Sequence, residues 1–96
     1  MNTMQLECFL AVADNLSFAR AAEQLHVTQP AITHQINSLE NELQAKLVRR
    51  TTRIVELTDD GRTFLGYARS ILKAAHFAKN RLSEHHQDYI QTFAIG

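Results

Sequence analysis

The amino-acid sequence predicts a mainly α-helical chain: three helices and a two-stranded β-hairpin form a small head, and a long fourth helix follows. Three observations carry this expectation. Apolar residues recur at helical spacing in four separate stretches, each preceded by a capping residue. Between the third and fourth stretch the period shortens to alternation, with Leu47-Val48 and Ile54-Val55-Glu56-Leu57 flanking a turn rich in Arg and Thr. Finally, the formal net charge is zero, yet residues 46–53 hold Lys46, Arg49, Arg50 and Arg53 without an acid.

A chain of 96 residues suits one small domain. No apolar run approaches a membrane span or a signal-peptide core, so the expectation is a cytoplasmic protein without a membrane partner. The single cysteine, Cys8, lies among apolar helical positions and reads as a buried thiol.

In chain order, Leu6, Phe9, Leu10 and Ala13 predict a first helix from Met4 to about Asp14 with Thr3 as cap, ended by Asn15-Leu16. Ser17 caps a short second helix through Phe18, Ala21, Ala22 and Leu25, whose alanines allow close approach of a neighbour. Only His26 and Val27 separate it from Thr28, cap of a third helix whose buried stripe is Ile32, Ile36, Leu39 and Leu43. His is among the few types besides Gly that tolerate the positive φ such a tight turn needs. A short helix, a tight turn and a longer helix form a helix-turn-helix. A plain α-hairpin within a bundle stays open at this point.

The stretch 28–43 decides the functional reading. Opposite its buried stripe lie Pro30, Thr33, His34, Asn37, Ser38 and Asn41, short or uncharged, and no acid occurs between Glu23 and Glu40. Thr28 and Pro30 mark a helix start whose N–H groups and dipole suit phosphate. The helix therefore reads as a recognition helix with its first turns in the major groove, against the bland alternative of an amphipathic helix with a wet face. The hairpin 47–57 must lean on the helices, since two strands alone are barely stable. After a helix-turn-helix it is a wing, and its cations belong at the DNA backbone or minor groove.

Thr58-Asp59-Asp60 opens the last helix with a cap and two carboxylates at the positive dipole end. Its apolar positions Leu65, Ala68, Ile71, Leu72, Ala75, Ala78 and Leu82, with Phe64 and Phe77 beside them, make a surface too wide for one contact. Over 59–86 the helix would run roughly 40 Å, longer than so small a domain is wide. A homodimer through these residues is expected. Residues 87–96 close on Thr92-Phe93-Ala94-Ile95-Gly96, read as a hinge and the opening strand of a further domain. The expected division is 1–58 as winged head, 59–86 as linker and dimerisation helix, and 87–96 as that hinge.

With these pieces in order, the sequence resembles the N-terminal DNA-binding domain of the LysR-type transcriptional regulators. The segments that carry the resemblance are LECFLAVADNLSFARAAEQLHVTQPAITHQINSLENEL, the wing RTTRIVELTDDG and FLGYARSIL, together covering nearly the whole chain. The resemblance implies a winged helix-turn-helix, paired linker helices and binding of double-stranded DNA at inverted-repeat promoter sites. It also implies a small-molecule inducer that binds only a C-terminal domain absent here. By the same resemblance Gln29, Pro30, Thr33 and His34 reach base edges and Arg53 reaches the minor groove. Arg50 and Ser17, with Thr28, Asn37, Lys46 and Arg49 around them, hold phosphates.

Three positions depart from the family pattern: Gln44 where Gly is common, Val48 where Phe is common, and His34 where Arg is common. The first removes an easy left-handed helix stop and the second thins the packing beneath the wing, so a slightly altered helix end or wing angle is expected. The third replaces a bidentate guanine reader by a side chain whose charge changes near neutrality. DNA affinity is then expected to weaken as pH rises from about 6 to 8, checked against a His34→Ala profile.

An enzyme reading finds no support. No catalytic constellation, glycine-rich phosphate loop or cofactor motif is present, and His85 and His86 are adjacent rather than at metal-ligand spacing. The serious alternative is a winged helix used only for protein interaction or dimerisation. An uncharged groove face combined with a basic wing favours DNA.

Overall fold

The computed structural model describes the backbone of residues 1–95 and the side chains of residues 1–84. Its elements are α1 (Thr3–Asn15), α2 (Phe18–Leu25), α3 (Gln29–Leu43), β1 (Val48–Arg50), β2 (Val55–Leu57) and α4 (Asp59–Ile95). The predicted helices and hairpin are all present, and the first three helices and the hairpin shift by only one or two residues at their ends.

Local chemistry explains the boundaries. Asn2, not Thr3, caps α1: its Oδ1 accepts from the Gln5 N–H at 2.8 Å while the Gln5 Oε1 accepts from the Asn2 N–H at 3.1 Å, a reciprocal capping box. Ser17 and Thr28 cap α2 and α3 by accepting from Arg20 N–H and Ala31 N–H. Each of the three short helices then stops on a left-handed residue that is not glycine: Leu16 at φ 49°, His26 at 58° and Gln44 at 54°. The expected positive φ at His26 is present. Gln44 also adopts the left-handed stop that Gly would take more easily, at a conformational cost of about 1 kcal/mol.

The core is shared by α1, α2, α3 and the start of the wing. Phe9, Val12, Ile32, Leu39 and Leu47 are essentially inaccessible, and Ala21 of α2 is fully covered, so the small side chain lets neighbouring backbones close in. Burying each large side chain contributes roughly 1.5–3 kcal/mol. Phe64 of α4 meets Phe9 with ring centroids 5.6 Å apart and planes tilted by 54°, which seats the long helix on the head. Cys8 is buried as expected; burial, aided by the negative charge of Glu7, pushes its thiol pKa up.

The wing is anchored at its root. Antiparallel pairing sets Val48 opposite Leu57, Arg49 opposite Glu56 and Arg50 opposite Val55. The Leu47 carbonyl accepts from the Thr58 N–H at 3.0 Å, and the Thr58 hydroxyl donates to the Lys46 carbonyl while accepting from the Gly61 N–H at 2.9 Å. A Cβ on Gly61 would lie 2.0 Å from the Leu47 carbonyl oxygen, so only glycine lets α4 start this close to the wing.

Two expectations for α4 need correction. The helix continues to Ile95 instead of ending near His86, and no strand opens over 92–95; no Gly or Pro interrupts 85–95, and a lone apolar segment has no sheet to join. Gly96 lies outside the described residues. The expected dimer surface also divides. Ala68 is fully buried and Leu65 and Leu72 are packed against the head, so these belong to the chain's own core. Ala75 is half-buried, whereas Ile71, Ala78 and Leu82 are exposed on the helix. Beyond the head the helix projects, giving a molecule 63 Å long and only 25 by 19 Å across. No helix among the described residues is long and apolar enough to cross a membrane.

Candidate nucleic-acid interface

Capping by Thr28 and a proline in the first turn start α3 where its N-terminal end stands clear of the core. Gln29, Pro30, His34 and Asn37 are exposed, Thr33 is half-buried, and Thr28 itself is exposed. The inner face is held by Ile32, Ile36 and Leu39, all buried. The outer face of the first two turns therefore presents amide, hydroxyl and imidazole groups with no acid among them.

Two adjoining concavities gather most of the expected contact residues. One runs between the start of α2, the start of α3 and the wing tip, and is bordered by Ser17, Gln29, Arg50 and Arg53. The other lies between α3 and the wing stem, bordered by Thr33, Asn37, Lys46, Arg49 and Arg50. Phe18 and Arg50 border both. Thr28, Pro30 and His34 border neither, although Pro30 and His34 are exposed one helical turn apart on α3.

The four cations of 46–53 are not equivalent. Arg49 pairs with Glu56 directly across the hairpin, Nη1 to Oε1 at 2.9 Å. Lys46 Nζ stands 3.7 Å from Glu40 Oε1. Arg50 stacks its guanidinium 4.3 Å from the centre of the Phe18 ring and donates to the Thr33 hydroxyl at 3.4 Å. Arg53 is exposed and makes no ion pair among the described residues. A stretch acid-free in sequence is thus partly compensated in space, because strand register brings Glu56 beside Arg49 and the left-handed turn at Gln44 carries Lys46 back beside Glu40. The most available positive charge is at the tip.

Glu40 is an important residue that the sequence pattern alone did not single out. It is only 6% exposed, and its Oε2 accepts from the Leu47 N–H at 2.7 Å and the Val48 N–H at 3.2 Å. A carboxylate thus binds the first donors of the wing directly to α3, a charge-assisted arrangement stronger than a neutral one. The signal was available: Glu40 stands four residues after Ile36, on the buried stripe rather than the wet face. Among the described residues no group of three or more His, Cys, Asp or Glu is placed to hold a metal ion.

A helix-turn-helix whose second helix is flanked by a short hairpin defines a winged helix-turn-helix protein. The chain belongs to the LysR family of bacterial regulatory helix-turn-helix proteins, matching the family model over residues 3–62. It is 37% identical over 95 residues to the uncharacterized HTH-type transcriptional regulator YxjO of Bacillus subtilis (strain 168), covering 99% of this chain and 33% of that protein. It is 43% identical over 81 residues to the HTH-type transcriptional regulator TfdT of Cupriavidus pinatubonensis (strain JMP 134 / LMG 1197), covering 84% and 36%. The chain therefore spans about a third of the length of these relatives. Among solved structures it is similar to the CbnR_DBD-DNA complex, with TM-score 0.83 and 43% identity over 88% of this chain and 97% of that one. It is likewise similar to the BenM_DBD/catB site 1 DNA complex, with TM-score 0.82 and 33% identity over 88% and 94%.

Proposed function

We propose that this chain binds double-stranded DNA sequence-specifically, as the DNA-reading part of a bacterial transcriptional regulator. The N-terminal half of α3 enters the major groove, and the wing lies along the backbone with Arg53 at the minor groove. One observation carries the reading: Gln29, at the uncharged start of α3, and Arg53, at the wing tip, border the same open concavity. Both can therefore address adjacent grooves of one duplex. Gln29, Pro30, Thr33 and His34 serve as base contacts, and Ser17, Thr28, Asn37, Lys46, Arg49 and Arg50 lie along the phosphate path. The DNA-bound relatives CbnR and BenM, at 43% and 33% identity, support this assignment.

The same reading makes the protein a homodimer through α4. Tyr67, Ile71, Ala78 and Leu82 follow one another at four, seven and four residues, the spacing of a single exposed stripe, and Tyr67 and Leu82 are 66% and 61% exposed. Two such heads require an inverted-repeat promoter site. A small-molecule inducer would act through a C-terminal domain, for which the greater length of the relatives leaves room. No part of the reading requires a cofactor or an enzymatic step.

The test is the salt dependence of duplex binding. The logarithm of affinity is expected to fall linearly with the logarithm of salt. Gln29→Ala should cost about 1–3 kcal/mol on a selected duplex and little on random DNA. Equal loss on both would remove Gln29 from the base readers, and absence of any duplex binding would leave an interaction module.

A further inference from the structure

Arg50 is a wing cation whose guanidinium is already engaged by two other elements. It ends β1, paired with Val55 across the hairpin. Its planar group lies 4.3 Å from the centre of the Phe18 ring at the head of α2, and its Nη1 donates to the Thr33 hydroxyl on α3 at 3.4 Å. Phe18 is itself 6% exposed, so the ring is a fixed shelf. Arg50 thus joins α2, α3 and the wing at one point, and it borders both the concavity that includes Thr33 and the one that includes Arg53. The root of the wing is held separately, by Glu40 on the N–H groups of Leu47 and Val48.

We propose that Arg50 is a positioning residue: stacked on Phe18 and bonded to Thr33, it fixes the wing against α3 so that the two groove-reading parts meet DNA in one register. The proposal rests on the DNA-binding reading above and assigns Arg50 a task other than phosphate attraction. A cation that only attracts phosphate needs charge and reach, which Lys supplies. A strut needs the flat face and the directional N–H, which Lys lacks. Fixing the wing before binding removes the ordering that a loose hairpin would undergo on the duplex, and its benefit is confined to the sequence that both parts fit.

The full chain is tested with two duplexes, one that the wild type enriches from a random pool and a scrambled one of equal length. Arg50→Lys and Phe18→Leu are expected to weaken the enriched duplex about tenfold; Phe18→Leu, which removes only the shelf, should leave scrambled-duplex affinity unchanged, and Arg50→Lys, which keeps the charge, should leave the salt slope unchanged. Spin labels introduced through Asn41→Cys and Thr52→Cys give a second readout without DNA. The distance distribution between them should be narrow while Arg50 is present and broad after Arg50→Lys or Arg50→Ala. If Arg50→Lys binds both duplexes as the wild type does, the proposal is overturned. An unchanged distance width in Arg50→Ala overturns it as well. Should the wild type bind no duplex, the DNA-binding reading fails, and the distance widths still judge the strut.

Discussion

In the head, Phe9, Val12, Ile32, Leu39 and Leu47 are covered completely or almost so by residues of the same chain, whereas on α4 Tyr67, Phe77 and Leu82 are left 66%, 57% and 61% exposed. The head meets its own needs: each helix is capped, the wing root is bonded to α3, and Phe64 locks the start of α4 onto α1. From residue 77 to residue 84 every side chain of α4 is exposed, so among the described residues this far part meets none of them within one chain. Stability of the head should therefore be independent of protein concentration, while order along the rod should depend on it. Ala68 and Leu82 mark the two sides of that divide on a single helix, 0% and 61% exposed.

The largest effect that sharpens the contrast is expected from Gly61→Ala. Its new Cβ would meet the Leu47 carbonyl oxygen, a backbone atom that cannot step aside, so chemical denaturation should show a loss of roughly 3 kcal/mol or more. Next comes the rod: Leu82→Ser removes an apolar side chain from both partners of the proposed dimer and should weaken dimerisation by about 2–3 kcal/mol. Sedimentation reads that change, and the unfolding of the head should stay as it was. A dimer of unchanged affinity would place Leu82 outside the interface.

Smaller still is Glu40→Gln, expected to destabilise the head by about 1–2 kcal/mol, because the amide retains one acceptor but loses the charge that serves two N–H groups. Hydrogen exchange at Leu47 and Val48 should quicken; exchange at the wild-type rate would show that the carboxylate does not hold the wing. The smallest effect has the opposite sign. Gln44→Gly should stabilise the head by about 0.5 kcal/mol, since glycine accepts φ 54° without strain but gives up more freedom on folding. A loss of stability there would mean that Gln44 is held by more than its backbone.

Much of this was legible in the sequence where a local rule acts alone. Thr28, Pro30 and the stripe Ile32, Ile36, Leu39 fixed the span of α3, and His26 stood out as the turn residue able to take a positive φ. Local rules failed where the answer depends on a neighbour distant in sequence. Leu16 in a left-handed conformation has no propensity signal, being a branched aliphatic residue held there by the helices on either side. The apolar surface of α4 was visible as too wide, but which part belongs to the head depends on where Phe9 and the rest of the core lie. In the interface, the residue types were readable, whereas the pairings of Arg49 with Glu56 and Arg50 with Phe18 arise only once the hairpin register and the packing of α2 are set.

Selection of bound sequences from a random duplex pool, followed by interference mapping of the enriched pool, tests the central claim most directly. Two copies joined along α4, each presenting the start of α3 and the tip of the wing, should enrich an inverted repeat. Each half-site should show major-groove protection beside a minor-groove footprint that disappears in Arg53→Ala. Enrichment of a single unrepeated site, or of nothing above background, would contradict it.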